Sequence, residues 1–176
     1  MRRFMLVGAA LVCALTLGTA PLASARAAPG PATRAAADEP GLIGTWRLVR
    51  DEDTSADGKV SYRFGEHPLG YFVYDPTGHL SVQIMRNPPI APFASSSPTE
   101  TEIRNANAAY AAYFGTYRVD KANHVLHHIV EGSLDPSYVA NPDQLRPYRL
   151  HGDTLVIELS DPKTGAHKYR ELHRVK

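Results

Sequence analysis

Nine short runs of β-branched and aromatic residues, separated by turns rich in glycine, proline, aspartate and asparagine, fill the chain from residue 42 to residue 174. Such runs suit a pleated, half-buried surface, and the intervening residues supply the backbone angles that reverse the chain. Strands are expected at 42–50, 59–64, 70–74, 79–86, 115–119, 125–131, 145–151, 154–160 and 167–174. The clearest reversals are Ala56-Asp57-Gly58, Asp75-Pro76-Thr77-Gly78 and His151-Gly152-Asp153, with others at 65–68, 120–123 and 161–165. Eight or nine antiparallel strands in one domain point to an all-β closed barrel or a sandwich rather than a doubly wound sheet.

One segment breaks the pattern. Thr99-Glu100-Thr101-Glu102 offers a helix cap and an acidic first turn, and five alanines between residues 106 and 112 favour helix. Ile103, Ala106, Tyr110 and Tyr113 recur on one stripe, so a single helix is expected over 98–113, packed on the sheet or plugging a barrel end.

The N-terminus carries an address. Arg2 and Arg3 precede an uncharged apolar run over 4–22 and the small residues Ala23-Ser24-Ala25, the order of a secretory signal cleaved after Ala25. The destination is then the periplasm or the exterior, with no membrane span after cleavage. The arginine pair leaves Sec and twin-arginine export both open. Cys13, behind Val12 and inside the apolar run, reads as a small hydrophobe rather than a lipidation site. Residues 26–40 are dominated by alanine and proline and read as a disordered tether, with the folded domain running from Gly41 to Lys176.

Composition narrows the function. The 176 residues suffice for one modest core, and 19 basic against 18 acidic side chains lack the field that non-specific nucleic-acid binding requires. Loss of the signal leaves 17 basic against 18 acidic residues and no cysteine, so the core must hold without a disulfide. No Gly-x-Ser-x-Gly elbow, phosphate loop or dinucleotide fingerprint occurs, so hydrolase, kinase and dehydrogenase readings lack support. No cofactor is implied and no catalytic residue is assigned. Oligomeric state is left open.

Gly44-Thr45-Trp46-Arg47-Leu48 has the Gly-x-Trp pattern with which lipocalin-type barrels begin. It is followed by Asp57-Gly58-Lys59, Gly70-Tyr71-Phe72-Val73-Tyr74, Gly78-His79-Leu80-Ser81-Val82-Gln83, Tyr113-Phe114-Gly115-Thr116-Tyr117, His127-His128, Glu131-Gly132-Ser133-Leu134 and Gly152-Asp153-Thr154-Leu155. In this order and spacing the motifs resemble the lipocalin-like domain family of small bacterial and fungal proteins, over nearly all of residues 42–175. The resemblance implies a calycin-type antiparallel β-barrel of about eight or nine strands with an inserted helix and an internal cavity. It implies no particular ligand.

In a barrel, alternate residues of each strand face inward. On the fourth strand Gln83 and Met85 share a face opposite Val82 and Ile84, and on the third Tyr71 opposes Phe72 and Tyr74. Both faces carry apolar residues, so the inner one is left open. Across the turn after Val119, a five-residue loop sends Val125, His127, Ile129 and Glu131 inward with Tyr117 opposite His127; a loop one residue shorter sends Leu126, His128 and Val130 inward instead. The first register is preferred because it keeps β-branched Val119, Val125 and Ile129 together. Arg146, with Gln144 two residues before it, is placed to reach an anionic ligand at the barrel mouth. The candidate ligand-binding residues are therefore Tyr71, Gln83, Met85, Tyr117, His127, Glu131 and Arg146. His127 and His128 point to opposite faces of a regular strand and cannot share a metal ion, so no metal ligand is assigned. The proline-rich loop over 87–93 reads equally as a lid or a stiff connector.

The leading expectation is an exported barrel that binds a small, hydrophobic or amphipathic molecule. Two alternatives stand beside it: a cofactor-independent isomerase or cyclase in which His127, Glu131 or Tyr117 moves a proton, and a structural or interaction module of the envelope.

Overall fold

The computed structural model describes residues 39–176. The signal segment and residues 26–38 of the expected tether lie outside the described residues. Glu39, at the tether's end, already belongs to the barrel: its carbonyl accepts from the Leu42 amide at 2.8 Å, and its carboxylate lies 3.8 Å from Lys121 Nζ.

Nine strands follow in order: β1 (Gly44–Thr54), β2 (Val60–Ser61), β3 (Leu69–Tyr74), β4 (His79–Met85), β5 (Tyr110–Asp120), β6 (Val125–Ser133), β7 (Asp143–His151), β8 (Thr154–Ser160) and β9 (His167–Arg174). Helix α1 (Glu100–Ala108) precedes β5, and the single-turn α2 (Pro136–Ala140) precedes β7. Every pairing is antiparallel between neighbours, and β9 returns to pair with β1 from Trp46↔Arg174 to Thr54↔His167. The sheet therefore closes on itself. Eight strands make the wall, while β2 is an exposed two-residue annex to the end of β1.

The inner face is set by alternation. Trp46 and Leu48, Phe72 and Tyr74, Leu80, Val82 and Ile84, Tyr113 and Tyr117, Leu126, His128 and Val130, Arg146 and Tyr148, Leu155 and Ile157, and Leu172 all point inward and are buried. Helix α1 is shorter than its alanines suggest. Its Thr99–Glu102 capping box forms, but the helix stops at Ala108, and Tyr110 and Tyr113 belong to β5. Residues 111, 113, 115 and 117 alternate toward the core, so strand burial outweighs local helix propensity. No residue of α1 is buried and Ile103 is exposed, so the helix neither plugs the barrel nor buries the stripe expected of it.

The turn between β5 and β6 settles the register. Asp120 pairs with Val125, leaving a four-residue loop in which Asp120 Oδ1 accepts from the Asn123 amide at 3.1 Å and His124 adopts φ 53°. The shorter loop sends His128 inward, opposite Tyr117, and turns His127, Ile129 and Glu131 to the outer face. Higher up the pair, Phe114 faces Gly132 while Gly115 faces Val130, so the register shifts by one residue and Glu131 is the extra residue of a bulge. Gly115 makes this possible, because a Cβ there would meet the Ile129 carbonyl oxygen at 2.0 Å. Gly115→Ala is expected to destabilise the protein by about 2–3 kcal/mol, the clash outweighing the lost chain entropy of glycine, as read by a lower urea midpoint.

Candidate functional site

The two ends of the barrel are built differently. At one end Leu42, Trp46, Leu126, Leu155 and Leu172 have no exposed surface and fill the interior. Gly44, at φ 139°, leaves room for Arg174, which lies over the Trp46 indole at 4.2 Å from its centroid and donates from Nη1 to the Ile43 carbonyl at 2.8 Å. That end is closed by its own side chains.

At the other end a cavity of about 290 Å³ remains. Phe64, Phe72, Val82, Ile84 and Ile157 make its apolar floor, and the segment 133–138, running into α2, contributes to its wall. Helix α2 sits there because Asp135 accepts at Oδ1 from the Ser137 amide at 2.9 Å and Pro136 opens the first turn. Four cations line the cavity: Arg63, Arg146, Lys168 and Arg170.

Three of the four have a carboxylate nearby. Arg170 Nε donates to Asp51 Oδ2 at 2.9 Å, Lys168 Nζ lies 3.9 Å from Asp53 Oδ1, and Arg63 helps hold the Asp135 carboxyl below its usual range, after the larger effect of the Ser137 hydrogen bonds. Asp51 is buried, and desolvation pushes its carboxyl up despite Arg170. Asp53 Oδ1 is itself buried without a hydrogen-bond donor. Arg146 is different: only 8% exposed, it has no carboxylate within salt-bridge distance among the described residues. Its Nη1 donates to the Leu145 carbonyl at 2.9 Å and its Nη2 to Gln144 Oε1 at 3.5 Å, which occupies two of the five guanidinium donors. Its Cζ stands 5.7 Å from the centroid of Tyr138.

Behind this wall runs a polar chain. Tyr113, which lines the cavity, meets His128 Nδ1 at 2.9 Å, and Tyr74 meets His128 Nε2 at 3.0 Å. A neutral imidazole has one donor and one acceptor, so one tyrosine hydroxyl donates to the ring and the other accepts from it. His128 is fully buried, and desolvation, with smaller contributions from Arg146 and His127, drives its proton affinity well below the ordinary value of 6.5. Burial pushes both tyrosine hydroxyls up, so they stay protonated at neutral pH. Reversing the tautomer exchanges the roles of the two hydroxyls, so that the one that donated to the ring accepts from it.

Of the seven candidate residues, only Arg146 reaches the cavity. Tyr117 points inward but lies in the closed half, where its hydroxyl donates to the Asp75 carbonyl at 3.0 Å and burial raises its pKa to about 12. Tyr71, Gln83 and Met85 are turned out, because Phe72, Tyr74, Val82 and Ile84 take the inner face of β3 and β4. His127 and Glu131 are turned out by the four-residue loop, and His127 Nδ1 pairs on the outside with Asp143 Oδ1 at 2.9 Å. The cluster expected from His127, Glu131 and Tyr117 is thus replaced by His128, Tyr113 and Tyr74. Tyr113 was hidden in the helical stripe. The alternation of Lys168, Arg170 and Leu172 on β9 was the unused signal for the cationic wall.

A closed eight-strand barrel opening with Gly44-x-Trp46 fits the model of the lipocalin-like domain, which matches residues 43–174. The chain belongs to the lipocalin-like domain family. This lipocalin-like domain matches no curated protein. It is similar to a solved structure of a redesigned beta barrel at 14% identity and a TM-score of 0.39, over 81% of this chain and 96% of that one. Among the described residues, no helix is long and apolar enough to cross a membrane.

Proposed function

We propose that the protein is exported and binds a small, partly hydrophobic molecule in the open half of its barrel. One observation carries this reading: the interior is filled at one end and left with about 290 Å³ at the other, over an apolar floor and beneath a polar wall. That volume is at the small end of ligand pockets, which run to roughly 300–1,000 Å³. The signal-like N-terminus supports export.

Native mass spectrometry of the full chain, incubated with extract of its source, is expected to show an adduct that leaves on mild activation. Ile84→Trp, which fills the cavity floor, is expected to lose that adduct while keeping its fold. A barrel that takes up no guest from the extract sinks the proposal.

The Tyr113–His128–Tyr74 chain favours a second reading, an isomerase or cyclase in which the Tyr113 hydroxyl moves a proton on a bound substrate. The two separate on Tyr113→Phe, which leaves a carrier's guest bound and unchanged but stops the conversion of a substrate.

A further inference from the structure

Resting on the reading that the cavity holds a guest, we propose that this guest is a small organic acid whose carboxylate is gripped by Arg146. The buried guanidinium motivates the assignment. A desolvated charge without a counter-ion is costly, and such charges are normally paired or hydrogen-bonded throughout. Here Asp51 is committed to Arg170, Asp53 stands beside Lys168, and Asp135 accepts from the Ser137 amide as the cap of α2, near Arg63. No acidic side chain among the described residues lies within salt-bridge distance of Arg146, which lines the cavity with donors to spare.

The surroundings specify the anion. The Arg146 guanidinium carbon stands 5.7 Å from the centroid of the Tyr138 ring, which packs edge-on against Tyr113 at 5.5 Å between centroids, so Arg146 is flanked by an aromatic pair that also lines the cavity. The planar guanidinium fork matches the two oxygens of a carboxylate. The floor of Phe64, Phe72, Val82, Ile84 and Ile157 takes an apolar body. At about 30 Å³ per displaced water, 290 Å³ corresponds to ~10 waters, which indicates an aryl-alkanoic or medium-chain acid of similar heavy-atom count.

Titration calorimetry at neutral pH of the full chain with 3-phenylpropanoate and octanoate, each beside its primary amide, tests the assignment. At least one acid is expected to bind at least about tenfold more tightly than its amide, and Arg146→Met to erase that preference. Without ligand, Arg146→Met is expected to melt a few degrees higher than the parent, because a buried unpaired charge has been removed; a structural role for Arg146 predicts a lower melting point. Arg146→Lys keeps the charge and loses the fork, and is expected to weaken the acid about tenfold; equal affinity overturns the proposal. Equal binding of acid and amide also overturns it, while leaving a guest in the cavity. Silence of all four probes overturns the acid guest, and the extract experiment then decides the cavity separately.

Discussion

Trp46→Ala is expected to cost about 3–5 kcal/mol, the range for removing a large aromatic side chain from a packed core. The indole has no exposed surface and joins three strands: it sits on β1, pairs in register with Phe72 of β3 and with Arg174 of β9, and closes the filled end of the barrel. Its Nε1 donates to the Leu42 carbonyl at 2.8 Å, so the substitution also leaves a buried acceptor unpaired. Arg174 loses the ring beneath it and keeps Asp153 at 3.2 Å, a partly exposed pair of small worth. The melting temperature should fall by on the order of 10 °C, at roughly 2–4 °C per kcal/mol for a chain of this size. Trp46→Phe keeps most of the packing and forfeits the indole donor, so about 1–2 kcal/mol is expected. In both variants any guest affinity should survive in whatever fraction remains folded, because the cavity lies at the opposite end. A loss of less than 1 kcal/mol in Trp46→Ala, read from urea unfolding, would refute the view that this end is a packed plug.

The contrast between the two ends also explains what could be read from the sequence. Strand ends were legible where a turn declares itself: Gly78, Gly152 and Gly165 take φ of 89°, 55° and 68°, conformations that glycine adopts readily. The opening strand of the barrel was legible through Gly44-x-Trp46, but not that its end is packed solid. The turn after β5 was legible at 120–123 but not its length, because its left-handed residue is His124 rather than a glycine, so the inner face of β6 was open. The same ambiguity hid Tyr113, whose alanine neighbours favour helix while its alternation with Gly115 and Tyr117 favours strand. Arg146 was legible as a mouth residue, but its isolation from carboxylates was not. That property depends on which acids the neighbouring strands bring to which cations.

The corrected register makes acid stability the second large expectation. His128 is held neutral in the interior, with its folded pKa far below the 6.5 of an exposed histidine. Such a group contributes stability that is fully present above pH 6.5 and is lost as the pH falls below it, since the unfolded chain takes up a proton that the barrel refuses. Between the exposed value and the lower folded one, the loss approaches a limiting slope of about 1.4 kcal/mol per pH unit. Asp51 works in the opposite sense: its raised folded pKa gives stability that is complete at low pH and is lost as the pH rises through that value. It is common to both proteins in a comparison of the parent with His128→Gln, so it cancels in the difference. Glutamine keeps a donor and an acceptor for Tyr113 and Tyr74 but cannot be charged. His128→Gln should therefore be less stable than the parent at pH 7.5, by about 1–3 kcal/mol for imperfect hydrogen bonds, and the gap should narrow steadily toward pH 5. Urea midpoints at half-unit intervals between these limits read the difference directly. Parallel curves would mean that His128 gains a proton without cost, and that the chain from Tyr113 to Tyr74 is open to solvent rather than sealed behind the cavity wall.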